Sequence, residues 1–194
     1  LIPTLLHAVR DAAPGVRVDL APYSPAAVRE LAEGRYDALI APDGMGNEDL
    51  RGQPLGTWPW AVFGRKGHPA FADWSPEAWS DYPHLRVETS GGPGQSPIDR
   101  RASELGIRRV VGAKVPNFSM AAQILAQTDL LLTVPSVAMA NTVAAFHLEW
   151  RDLVFDLPDM GLSLFRSAAE GDEPGVRWFL ERVATAFRRL DESP

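Results

Sequence analysis

The stretch that decides the fold class is Gly34-Arg35-Tyr36-Asp37-Ala38-Leu39-Ile40-Ala41. From residue 36 onward it is short and nearly all apolar, which suits a parallel strand covered on both faces. A helical pattern precedes it. Ser24-Pro25 supplies an N-cap and a first-turn proline, Val28 and Leu31 share one face, and Gly34 is the stop. A helix, a glycine and then a buried strand form one β-α-β step, so the chain reads as α/β.

The same alternation extends in both directions. Upstream, Ile2, Leu5, Leu6 and Val9 lie on one helical face, Pro14-Gly15 ends that helix, and residues 16–20 alternate as a strand would. Downstream, residues 43–56 are rich in Gly, Asn and Asp and read as a loop, and 58–64 read as a strand. A second series then begins. Ser75-Pro76 caps a short helix, 85–88 is a strand, and Ser96-Pro97 opens a helix that Gly106 closes. Residues 110–115 form a strand, Ser119 caps a helix through Gln127, 130–134 form a buried strand, and Ser136 caps a helix to about Ala145. Residues 153–157 and 162–165 are strand-like. Val176, Phe179, Leu180, Val183, Ala184 and Phe187 make 174–190 an amphipathic closing helix.

Two β-α-β series imply two Rossmann-like lobes. The first is expected over 1–64, with 162–194 returning to it, and the second over 65–161. Two crossover strands would then frame a central cleft with a hinge. Six tryptophans fit this packing: Trp58 and Trp60 share a strand face, Trp74 and Trp79 bracket the Ser75-Pro76 helix, and Trp178 anchors the closing helix to the first lobe.

Composition narrows the function. The 194 residues are 45% hydrophobic and 23% charged, as in ordinary globular proteins, and no run approaches the roughly 20 apolar residues of a membrane span. With no cysteine, disulfides, thiolate metal sites and cysteine nucleophiles are excluded, and a reducing cytoplasm fits. Nineteen basic against 25 acidic residues leave a net charge of −6, and duplex-binding domains normally carry a basic face. The pairs Arg100-Arg101, Arg108-Arg109 and Arg188-Arg189 sit beside Asp99, Glu104, Asp191 and Glu192 and read as solvated helix edges.

Helix starts are the best candidates for a binding site. In an α/β lobe they lie at the carboxyl ends of strands, where free N–H groups and the dipole favour oxygen-rich ligands. These starts are Thr89-Ser90 with the loop from Gly91 to Gly94, Asn117 with Ser119, and Thr133 with Ser136. Ser96, Ser119 and Ser136 also read simply as N-caps. The loop lacks the Gly-Lys-Ser/Thr of a phosphate cradle and the spacing of a dinucleotide fingerprint. His7, His68, His84 and His147 have no metal-ligand spacing, no Gly-x-Ser-x-Gly elbow exists, and no metal or cofactor is expected.

Several segments together resemble the effector-binding domain of LysR-type transcriptional regulators, which has the fold of type 2 periplasmic binding proteins. They are Leu1-Ile2-Pro3-Thr4-Leu5-Leu6 with Pro14-Gly15-Val16, Gly34 to Ile40, Gly67-His68-Pro69, Val115-Pro116-Asn117-Phe118, Thr128-Asp129-Leu130-Leu131 through Val134-Pro135, and Glu173-Pro174 with Trp178-Phe179-Leu180. The resemblance implies a non-enzymatic sensor. Its effector, a small anionic metabolite, is placed near Thr89, Ser90, Gly91, Asn117, Phe118, Ser119, Thr133 and Ser136. It further implies a homodimer or tetramer through the sensor domains, and DNA contact only through a winged helix-turn-helix that would precede Leu1. The family also has a strand before its first helix, so the natural protein is expected to continue upstream. A free-standing solute-binding protein of a transport system is the competing reading, and it would carry a secretory signal instead.

Overall fold

The strand expected over residues 36–41 starts three residues later: β1 spans Leu39–Pro42. It pairs antiparallel with β8 (Met160–Ser167), with Ala41 opposite Ser163, rather than lying parallel as expected. The computed structural model describes residues 2–24, 26–88, 96–169 and 173–191. These fall into two units, residues 1–57 with 161–194, and residues 58–160.

In the first unit, α1 (Ile2–Ala12) buries Leu5 and Val9 and packs against α6 (Pro174–Asp191), which buries Val183, Ala184 and Phe187. The closing helix thus belongs to the same unit as α1. α2 (Ala27–Ala32) is shorter than its pattern. Ala26 stands at its N-cap without a side-chain bond, and Ser24 contributes its carbonyl, not its hydroxyl, to the Ala27 N–H at 2.9 Å. Gly34 ends it at φ +72°, a conformation that only glycine adopts without strain.

Residues 16–20 form no strand. Val16 is 48% and Leu20 57% exposed, and among the described residues no strand pairs with them. Alternation alone cannot hold a strand, because each backbone N–H and C=O needs a ladder partner.

The expected 43–56 loop instead contains a single 3₁₀ turn (Asp43–Met45) and most of β2 (Leu50–Trp58), in a sheet ordered β1-β8-β2. Two of its glycines serve packing rather than a turn. A Cβ on Gly46 or Gly52 would come within 2.9 or 2.8 Å of the Phe165 ring. Pro54 is tolerated because β2 borders this sheet and an edge position can spare an N–H.

The second unit is built around β3 (Trp60–Arg65), flanked by β6 (Leu132–Pro135) and β7 (Leu148–Asp152), both antiparallel to it. β3 was expected in the first lobe. Pairing on both sides fixes it in the second, and moves the boundary from 64/65 to 57/58 and from 161/162 to 160/161. Trp58 and Trp60 consequently lie on different strands.

Next along the sheet come β4 (His84–Val87) and β5 (Val111–Val115), parallel to each other. The Leu85 N–H donates to the Leu131 carbonyl and the Leu131 N–H to the Pro83 carbonyl, which joins β4 in parallel to the segment entering β6. Both faces are covered. Ala61 and Phe63 point to a core with Leu85, Val115 and α5 (Phe118–Leu125), while Trp60 and Val62 point to one with Trp79, Ile98 and Leu131. The second face is closed by α3 (Pro76–Asp81) and α4 (Pro97–Glu104). Their caps are Ser75, accepting from the Ala78 N–H, and Ser96, accepting from the Asp99 N–H, as the Ser-Pro pairs foretold.

Candidate functional site

Because β4, β5 and the strand entering β6 run parallel, their carboxyl ends lie along one edge of the second unit's sheet. That edge carries Glu88, the Pro116-Asn117 entry to α5, and Ser136. Thr89, Ser90 and Gly91 lie outside the described residues.

Asn117, not Ser119, caps α5. Its Oδ1 accepts from the Met120 N–H at 2.9 Å, and its carbonyl accepts from the Ala121 N–H. The Phe118 and Ser119 amides precede the first intrahelical bond, so they face outward as donors at the positive end of the helix. Ser119 is exposed in the first turn, which leaves its hydroxyl beside those amides. Phe118 turns the other way and packs against the α5 core, holding the helix start against the sheet.

The remaining expected residues behave differently. Thr133 is 2% exposed, and its Oγ1 accepts from the Trp79 indole at 3.1 Å, so it belongs to the core. Ser136 is half-buried and opens only a 3₁₀ turn (Ser136–Ala138) without a side-chain cap. Its N–H donates to the Pro59 carbonyl. A helix to Ala145 does not form. The edge thus offers Asn117, Phe118 and Ser119 together, with Ser136 nearby in strand order and Thr133 beneath the surface.

Two histidines expected in turns are buried. His84 Nε2 lies 2.8 Å from the Trp79 carbonyl, which can only accept, so Nε2 carries the hydrogen and Nδ1 is a buried acceptor with no donor among the described residues. Burial first, and then the Arg109 charge, push its pKa down to about 3. His68 accepts the Ala70 N–H at Nδ1, and burial lowers its pKa as well. Arg109 is also not the solvated edge residue its sequence neighbours suggested. Its side chain is 5% exposed and reaches Asp99, which also pairs with Arg86. Sequence reasoning missed this trio because its members are 13 and 10 residues apart and meet only when α4 closes over the sheet. Among the described residues, no group of His, Asp or Glu side chains could hold a metal ion, and no helix is long and apolar enough to cross a membrane.

The family model described as "LysR substrate binding domain" matches residues 1–188. The chain belongs to that family. Among curated relatives, this LysR substrate-binding domain is 33% identical over 124 residues to the HTH-type transcriptional activator NahR of Pseudomonas putida, covering 63% of this chain and 41% of that one. It is 26% identical over 191 residues to the HTH-type transcriptional activator NagR of a Ralstonia species, covering 96% and 62%. It therefore spans from two fifths to under two thirds of these relatives' lengths. Among solved structures, the probable transcriptional regulator PA0477 of Pseudomonas aeruginosa superposes with a TM-score of 0.81 at 26% identity, over 95% of this chain and 62% of that one. The BenM effector-binding domain, solved with its effector benzoate, gives 0.73 at 18% identity, over 100% and 89%. The LysR substrate-binding domain thus has the mixed α/β, type 2 periplasmic-binding-like fold that its resemblance to the family implied.

Proposed function

We propose that this domain senses a small anionic metabolite, and that binding controls how the full-length regulator engages DNA. The observation that carries this reading is the open start of α5, where the Phe118 and Ser119 amides and the Ser119 hydroxyl stand at the carboxyl edge of parallel strands. Such donors suit a carboxylate. The family match supports the regulatory role, and the benzoate complex of BenM supports the effector class. A free-standing transport protein is not favoured, since the named relatives are transcriptional regulators. No reaction is assigned to the domain, and DNA contact belongs to sequence outside this chain. A cytoplasmic location follows from that regulatory role.

A ligand acts only by binding one arrangement of the regulator better than another. A thermal-shift screen of benzoate and other small aromatic and aliphatic carboxylates tests the reading. A true effector should stabilise the domain by about 2.7 kcal/mol at 100 times its Kd. The gain should fall in Ser119→Glu, where a like charge occupies the site. If no carboxylate raises the melting temperature, or if Ser119→Glu responds as the parent does, the reading is overturned.

Self-association follows from the same proposal. Leu6, Val16 and Leu20 in the first unit, and Leu105 and Val110 in the second, are each 39 to 57% exposed. An isologous dimer in which the first unit of one copy covers the second unit of its partner would bury both sets.

A further inference from the structure

The second unit holds a charged cavity that the proposed effector site does not use. Its volume is about 340 Å³, and it is lined by Arg86, Arg109, Asp99, Ser103, Ile107 and Val111. Arg86 comes from β4, Asp99 from the first turn of α4, and Arg109 from the segment entering β5. The Asp99 carboxylate accepts from both arginines. Oδ2 takes Nη2 of Arg86, and Oδ1 takes Nη1 of Arg109 at 3.1 Å.

Two guanidiniums thus share one carboxylate, which leaves one formal positive charge unbalanced. The charge is not simply solvated, because the side chains of Arg109, Asp99 and Arg86 are 5, 18 and 29% exposed. The Nε atoms of both arginines are buried and have no acceptor among the described residues. Burial, reinforced by Arg86, pushes the Arg109 pKa down to about 10, so it remains cationic at neutral pH. A desolvated cation with incomplete pairing is costly, and a second anion is what offsets that cost. Guanidinium forks match the planar O–X–O edge of an oxyanion.

We propose that this cavity is an accessory binding site for a small oxyanion, held by Arg86 and Arg109. It is independent of the effector reading. Arg109 and Val111 stand at the amino end of β5 and Asn117 beyond its carboxyl end, so a strand length of roughly 13 Å separates them.

An NMR titration of the chain with sodium sulfate, against sodium chloride at matched ionic strength, tests the proposal through the Nε–H signals of Arg86 and Arg109. Both signals should move saturably with sulfate and not with chloride. Ser103→Glu places a tethered carboxylate in the cavity from an exposed helix position, and should weaken sulfate binding by about tenfold or more. Asp99→Asn removes the competing carboxylate and should tighten it. If Asp99→Asn does not fold, the Ser103→Glu comparison decides alone. A drift that never saturates, or an unchanged response in Ser103→Glu, overturns the proposal. So does loss of the response in Ser119→Glu, which would place the ion at the α5 start instead.

Discussion

The two units solve the same problem, burying apolar side chains on a sheet, to different extents. In the second unit β3 is paired on both sides and covered on both faces. Trp79, Thr133, His84 and the Trp79 carbonyl form one buried chain of bonds. In the first unit β1, β8 and β2 pack Leu31, Ala41, Leu50 and Phe165 together, yet Val16 and Leu20 remain in the open. The contrast teaches that an apolar alternation becomes a strand only where backbone partners exist. Where they do not, the same residues stay exposed.

The largest effect should come from breaking the second unit's interior. Trp79→Ala removes a fully buried indole, its bond to Thr133 and its ring contacts with His84 and Phe155. A loss of about 3–5 kcal/mol is expected by denaturant unfolding. A loss below about 1 kcal/mol would mean that this core is not the stabilising one.

Acid should come next. His84 is held neutral in the folded state with a pKa of about 3, against 6.5 for an unperturbed imidazole. The unfolded chain therefore binds the extra proton, and stability falls as pH drops from about 6.5 toward 3. By pH 4 the loss attributable to this ring is on the order of 3 kcal/mol, at 1.36 kcal/mol per pKa unit. His68 adds to it in the same direction. His84→Gln should flatten the fall in melting temperature between pH 6.5 and 4, and an equally steep fall in that variant would remove His84 as its cause.

A smaller effect separates capping from ligand contact. Asn117→Ala should cost about 1 kcal/mol, the usual worth of an N-cap. Ser119→Ala should leave unfolding unchanged within about 0.5 kcal/mol, as expected for a surface site. Equal costs for the two would show that Ser119 has a structural role after all.

The smallest change in stability is expected on the first unit's open surface. Val16→Asp with Leu20→Asp should leave the unfolding midpoint nearly unchanged while lowering the apparent mass in light scattering at matched concentration. If association is untouched, those side chains are not part of the dimer contact.

Much of the fold was legible in local signals. Ser75-Pro76 and Ser96-Pro97 marked helix starts, Gly34 and Gly106 marked stops at φ +72° and +70°, and the period of 174–190 marked the closing helix. Failures came where a local signal had a distant cause. Gly46 and Gly52 read as loop but make room for Phe165, more than a hundred residues away. Ser119 and Ser136 read as caps, but Asn117 took the first role and no helix formed to need the second.

By itself, the sequence determined an acidic, cysteine-free α/β chain with helix starts at the ends of strands, because periodicity, caps and composition act over a few residues. Tertiary structure alone decided the strand partners, and with them the antiparallel β1, the placing of β3 in the second unit and the burial of Thr133. It also brought Arg86, Asp99 and Arg109 together. These outcomes depend on which backbone groups and charges meet across the fold, and that meeting is set by packing rather than by neighbours in the chain.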